Sequence, residues 1–488
     1  MQKNIFLLIF SLICVLSNAQ ESITNQLYDT YHTYKETALD KRRIKHHQLQ
    51  PLLKRYEVNP KFHVEKVGES IEGRDLHLVS IGSGSEDIFL WSQMHGNEPT
   101  ATQAIFDILN FLDAPEFKAE KQEILSKLKL HFLPMLNPDG AEVYQRRNAL
   151  GIDINRDALR LQSPEGRALK RIRDSLDAKF GFNLHDQSTY YNAELTDKPA
   201  TISYLATAFN YDKDINEVRS NAMKVIVYMN GIIQKYAPGQ VGRYSDDFEP
   251  RAFGDNIAKW GTSLILIESG GYANDREKQE IRKLNYVSIL SALYTIAQKS
   301  YVDIPIEDYE KIPRNDRKLF DLKIENATYE LHGKDYIIDL GIHRQEVDLE
   351  GHEQFYYKSI VVDQGDLSTY FGYETFDASG HRIIPAKVYP RAINTNTRNM
   401  WNSEGSPFKS GYGYFKTDFL PPIAYTEMPG HFVANNFRVP KFVLQPGVNP
   451  TFFLEKEGRL THAVINGFLI DFSQPIEKQN FGNGLIYR

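Results

Sequence analysis

The stretch IFLWSQMHGNEPTATQAIFDILNFL, residues 88–112, decides the fold. Ile88 to Trp91 is an unbroken apolar run, the pattern of a strand buried on both faces. Thr100 to Leu112 spaces its apolar residues at helical intervals and reads as an amphipathic helix. Between the two, HGNEPT opens at His95, so His95 and Glu98 stand at the carboxyl end of a strand, where open parallel sheets place their ligands. Pro99 suits the first turn of the helix that follows.

The same alternation extends in both directions, from about Gln26 to Ser300. Leu76 to Ile81, Leu128 to Leu136 and Leu264 to Ile267 read as further short buried strands. Pro164 to Phe180 reads as a helix, and Glu277 to Lys299 as a closing one. Strands alternating with helices predict an α/β fold: a mixed, mostly parallel sheet with helices on both faces, over residues 20–300. Residues 301–318, YVDIPIEDYEKIPRNDRK, mix prolines and charges without a helical period and read as an interdomain connection. From residue 319 to 488 the segments TYELHGKDYIIDLGI, FYYKSIVVD and HAVINGFLIDF are short, β-branched and aromatic, which predicts a smaller β-rich, sandwich-like domain with no assigned role.

Two domains also follow from the length of 488 residues, beyond the size at which a single core keeps growing. The net charge of −6, from 63 acidic and 57 basic side chains mixed along the chain, gives no basic surface for nucleic acid or an anionic membrane. The opening MQKNIFLLIFSLICVLSNAQ has Lys3, an apolar run from Ile5 to Leu16 and the small-residue site Ser17-Asn18-Ala19, the layout of a secretory signal peptide over residues 1–19 cleaved after Ala19. That run is too short to span a bilayer, and no later segment is long and apolar enough, so an exported protein without a membrane span is expected. Cys14, the single cysteine, lies inside the signal. A metal site in the mature chain must therefore be built from His, Asp and Glu.

Two ligands three residues apart on a strand-end turn can reach one cation, and two imidazoles with one carboxylate suit a single zinc ion while leaving a fourth position open. NLHDQ, residues 183–187, gives His185 the same strand-end position, and LILIESGG, residues 264–271, puts Glu268 after a third strand. Glu268 is the carboxylate spared from the metal, available to accept a proton from water and return it to a leaving amine. The bare spacing proves little, because HRQE at 343–346 repeats it within a probable strand of the second domain, where a solvated face is expected. Between the strand ends lie NPDG at 137–140 and QRRNALGIDINRD at 145–157. Guanidinium groups there can bind a carboxylate through two parallel hydrogen bonds or stabilise an oxyanion, and Asp153 can orient a metal-binding histidine.

Taken together, EGRDL at 72–76, HGNE, NPDG, the run from Arg146 to Asp157, His185 and Glu268 resemble the zinc carboxypeptidases of the carboxypeptidase A and B type, over roughly residues 26 to 300. The resemblance is to a secreted bacterial metallopeptidase with an extra C-terminal domain. It implies zinc ligands His95, Glu98 and His185, with Glu268 as general acid and base. It implies that Arg146 polarises the scissile carbonyl, that Asn155 and Arg156 hold the substrate's terminal carboxylate, and that Asp153 supports the first histidine. The activity implied is hydrolysis of the C-terminal amide bond of peptides, the partner being a peptide with a free terminal carboxylate. The same site on cell-wall peptides or other acyl amino acids, or an inactive peptide-binding relative, are the alternatives. The chain departs from the digestive members at Asn97, where they carry arginine, and at Asp186, where they carry serine. Tyr244 is the candidate for the tyrosine that caps substrate, and the specificity position falls near Phe253 to Asp255 with Arg251 close by. Neither the residue released nor the oligomeric state is legible.

Overall fold

The computed structural model describes residues 23–393, 401, 406–438 and 441–488. The leader read over residues 1–19, its cleavage point and Cys14 lie outside them. The chain divides into two compact units between Arg317 and Lys318.

In the first unit the strands are β1 (Phe62–Glu69), β2 (Asp75–Ile81), β3 (Glu86–Ser92), β4 (Leu128–Leu133), β5 (Phe180–Asp186), β6 (Asn192–Ala193), β7 (Ile202–Ala206), β8 (Val241–Arg243), β9 (Ser263–Ser269) and β10 (Asn315–Asp316). Eight of them form one sheet in the order β1-β2-β4-β3-β5-β9-β7-β8, and β6 pairs separately with β10. The four central strands β4, β3, β5 and β9 are mutually parallel, while β2 and β7 join them antiparallel. The sheet is thus mixed with a parallel centre, as the alternating pattern predicts.

Side-chain alternation along β3 sorts the core into two layers. Ile88 and Leu90 enter one apolar cluster, shared with the helices Thr100–Asp113, Glu217–Tyr236 and Gln279–Gln298. Phe89 and Trp91 enter the other, shared with the helices Pro164–Leu176 and Phe253–Lys259. Helices therefore cover both faces. From β3 the chain crosses to β4 on one side, and from β4 it crosses back to β5 on the other side of β3. The crossover direction reverses between β3 and β5, and a crevice opens at the carboxyl ends of those strands.

Several expected boundaries move for local reasons. β4 stops at Leu133 rather than Leu136, since Pro134 has no N–H for the ladder. The helix from Pro164 ends at Leu176, where Asp177 turns left-handed (φ 43), and Phe180 begins β5 instead. Pro99 occupies the N-cap of the helix Thr100–Asp113. That helix is not amphipathic toward water: Gln103 donates to the carbonyls of Leu39 and Lys41, and Asp107 binds Arg282, Tyr31 and the Glu36 N–H. Its polar side is covered by the segment that precedes the sheet. Residues 301–317 behave similarly, folding as two 3-10 turns and β10 within the first unit, with Tyr301, Tyr309 and Ile312 buried in its core. No helix among the described residues is long and apolar enough to cross a membrane.

The second unit is built of strands. A larger sheet contains Leu319–Leu331, Lys334–Asp348, Phe355–Gly365, Phe371–Asp377, Arg382–Pro385, Phe452–Lys456, Arg459–Ile465 and Phe468–Asp471, and a smaller one contains five short strands between Lys387 and Tyr487. Phe452 and Leu454 face one apolar cluster, whereas Phe453 faces a second that includes Phe415 and Phe432 of the smaller sheet. The large sheet is therefore apolar on both sides, as in a sandwich.

Candidate metal centre

The turn after β3 is fixed before any ligand enters it. Gln93, left-handed at φ 50, donates from Nε2 to the Gly96 carbonyl (2.9 Å) and accepts from Thr102 Oγ1 (3.0 Å), while the Glu98 N–H donates to the His95 carbonyl (3.1 Å). This folding back sets His95 Nδ1 2.8 Å from Glu98 Oε1. His185, from β5, places its Nδ1 2.7 Å from Glu98 Oε2. The two imidazoles lie 4.8 Å apart, centre to centre.

All three side chains are buried, and their ligand atoms lie within 4.8 Å of one another, making them the one such His, Cys, Asp or Glu group among the described residues. Burial opposes ionisation of Glu98, but the flanking His95 and His185 outweigh it and hold the carboxyl well below the usual range. Burial also depresses His185, favouring the neutral imidazole that binds metal. His185 Nε2 is buried without a hydrogen-bond partner, and Nη1 of Arg146 sets a positive charge 3.1 Å from His95 Nδ1 and 3.4 Å from Glu98 Oε1. Two buried nitrogen donors and a buried, ionised carboxylate converging on one point fit a divalent cation, and zinc suits that donor set.

The far side of His95 is held by Asp153, whose Oδ1 lies 3.3 Å from Nε2. Asp153 Oδ1 also accepts from the Asn155 N–H (3.0 Å) and Oδ2 from Arg146 Nε (3.0 Å). One carboxylate thus orients an imidazole, anchors Arg146 and caps the 3-10 turn Ile154–Arg156. Burial works to raise the Asp153 carboxyl, but the His95 hydrogen bond and Arg146 keep it well below the usual range.

Glu268 pairs directly with His185 in the parallel register of β5 and β9, so their Cα atoms sit on strands about 4.8 Å apart and their side chains share the face that carries the candidate metal centre. No hydrogen bond or ion pair with the described residues engages its carboxylate. Burial raises it well above the usual carboxyl range, and the negative charges of Glu98 and Asp186 add to that. Arg146, Asn155, Arg156, Tyr244 and Glu268 line one cleft of about 310 Å³ together with His95, Glu98 and His185. Asn155 also accepts the Phe253 N–H (2.9 Å), tying that rim to the helix Phe253–Lys259, and Arg156 lies 3.5 Å from Glu249.

The remaining motifs hold the site rather than enter it. The Asn137 side chain caps the turn of NPDG, and the backbone of Gly140 packs so closely on Gly96 that a Cβ at Gly96 would stand 2.0 Å from the Gly140 carbonyl carbon. Asp139 in turn accepts from Ser70 Oγ, Arg74 Nη1 and the Glu72 N–H, which closes EGRDL onto NPDG. The second-domain copy of the ligand spacing fails for a simple reason. His343 and Glu346 lie in one strand, where residues three apart point to opposite faces.

The cleft also contains residues that sequence reasoning passed over. Asn183, Gln187, Tyr191 and Thr207 line it; Asp255, within the stretch Phe253 to Asp255 read above for specificity, lines it too, its carboxyl pushed up to about 6 by burial. Asn183 could have been found from its position two residues before His185 on a strand, hence on the same face. Lys278, whose ammonium meets Asp186, gave no signal in the sequence.

Residues 52–254 match the family model described as zinc carboxypeptidase. Carboxypeptidase 2 of Trichophyton rubrum is 33% identical over 128 residues, 24% of this chain and 23% of that protein. The carboxypeptidase N catalytic chain of Homo sapiens is 29% identical over 116 residues, 19% of this chain and 25% of that protein. The chain thus spans about a quarter of the length of the curated relatives it matches. Among solved structures, a metallo-carboxypeptidase from Burkholderia cenocepacia is similar with TM-score 0.43 and 15% identity, covering 52% of this chain and 69% of that one. The carboxypeptidase A from Helicoverpa armigera has TM-score 0.43 and 15% identity, covering 58% and 81%.

Proposed function

We propose that this chain, whose residues 52–254 match the zinc carboxypeptidase family model, is a metallocarboxypeptidase that hydrolyses the C-terminal amide bond of peptides. The observation that carries the proposal is convergence. A buried His-Glu-His group, an unengaged carboxylate and two arginines face one cleft.

In this reading His95, Glu98 and His185 would hold one zinc ion, which would supply Lewis-acid chemistry at the reacting centre. The substrate's terminal carboxylate binds Arg156 and Asn155, since a guanidinium forms paired hydrogen bonds to a carboxylate. Tyr244 closes over the bound residue. Arg146, steadied at Nε by Asp153, donates to the scissile carbonyl oxygen as negative charge develops there. Glu268 takes a proton from the attacking water at its free carboxylate and delivers it to the departing amine as the carbon–nitrogen bond breaks. Its burial, which strengthens its hold on a proton, suits the first half of that transfer. The leader read over residues 1–19 assigns the reaction to an exported protein, which the N-terminal sequence of the mature chain, expected at Gln20, tests.

Acylated dipeptides and muropeptides, offered separately to the zinc-loaded protein, identify the amide cleaved by the free amino acid released. Glu268→Gln should retain one zinc per chain and lose at least about a hundredfold in kcat. Wild-type turnover by that variant refutes the assignment of the base.

A further inference from the structure

We propose that Asp186 and Lys278 form a buried clamp that positions the metal ligands and the catalytic base relative to one another. Three separate chain segments bring the reactive groups together: the turn holding His95 and Glu98, the end of β5 and the end of β9. The ladder joins β5 to β9. Glu98 lies outside it, on the turn before the helix Thr100–Asp113.

Asp186 ends β5 directly after His185. Its Oδ2 accepts from Thr100 Oγ1 (2.6 Å), two residues beyond Glu98, and from Lys278 Nζ (2.9 Å). Its own N–H donates to Glu98 Oε2 (3.3 Å). Lys278 Nζ donates a second bond to the carbonyl of Ser269 (3.0 Å), the residue directly after Glu268. A single ion pair therefore reaches the neighbour of His185, the neighbour of Glu268 and the helix start that carries Glu98.

The pair is placed for geometry rather than for stability. Its side chains are 6% and 7% exposed, so both charges have lost their water, and an ion pair at such depth returns little more than its own desolvation cost. Lys278 also holds left-handed backbone (φ 52), a conformation uncommon for residues other than glycine. A ligand set displaced by about 1 Å loses on the order of a hundredfold in rate. Both residues are positioning residues, acting through Ser269, Thr100 and the Asp186 backbone.

Lys278→Met alone leaves Asp186 buried and unpaired, so the decisive variant is the neutral pair Asp186→Asn with Lys278→Met, accompanied by Thr100→Val. The zinc-loaded full chain is assayed below each variant's Tm for zinc dissociation into excess chelator, and for kcat and KM. The clamp predicts zinc loss at least tenfold faster in the double variant, kcat at least tenfold lower and KM within threefold, with Thr100→Val intermediate. A lower Tm with wild-type zinc dissociation and wild-type kcat per folded molecule overturns it. The kinetic arm rests on the carboxypeptidase reading. If the wild-type chain releases no amino acid, that reading fails while the zinc dissociation rates still decide the clamp.

Discussion

Asp153→Asn isolates the support behind His95, the first proposed metal ligand. The carboxylate accepts from the Asn155 N–H and faces His95 Nε2 through Oδ1, and accepts from Arg146 through Oδ2. An asparagine keeps one oxygen. If that oxygen stays with His95 and Asn155, the new NH₂ opposes the Nε–H of Arg146, donor against donor; if the amide flips, the imidazole and the Asn155 N–H lose their acceptor. Either way at least one hydrogen bond to the charged carboxylate is removed, and with Arg146 42% exposed the loss belongs at the low end of about 1.5–3 kcal/mol. Carboxylates behind metal-binding histidines affect metal affinity by roughly 10–100-fold, or about 1.4–2.7 kcal/mol, in agreement with that count. Competition with a fluorescent zinc chelator reads the change directly, and the Tm of the metal-free variant should stay within a few degrees of wild type. A variant whose zinc Kd lies within twofold of wild type refutes the assignment of Asp153 as the support of His95.

Gly96→Ala forces a Cβ against the Gly140 backbone, and should destabilise the protein by about 1–3 kcal/mol in chemical denaturation while weakening zinc binding; unchanged zinc affinity would show that the two turns are not coupled. Asp255 makes a pH-dependent prediction. Burial raises its carboxyl from 3.8 to about 6, so its contribution favours the folded state below about pH 4 and is lost as pH climbs through 6. Asp255→Asn should therefore gain on wild type by up to about 3 kcal/mol between pH 4 and 8, because a tenfold change in acidity is worth about 1.4 kcal/mol. A pH-independent difference in unfolding free energy between the two proteins refutes it.

Local patterns in the sequence were enough to set the elements and to mark the candidate ligands. The apolar run from Ile88 to Trp91 and the helical spacing after Thr100 are patterns that a single chain segment expresses without its neighbours. HGNE, His185 and Glu268 were legible because each ends such a strand, so a one-dimensional reading gave them one address. Their convergence is another matter. That β3 lies between β4 and β5, that His185 and Glu268 share a register, and that His343 and Glu346 point apart follow from strand order and pairing, which depend on contacts between residues far apart in sequence. The helix Thr100–Asp113 shows the same limit, since its Gln103 and Asp107 read as a solvent face until the segment before the sheet covers them. Lys278 shows it most plainly. A lysine ten residues beyond Glu268 carries no pattern, and only the packing that removes it from water next to Asp186 turns it into part of the site, because a buried charge must find its partner in space and not along the chain.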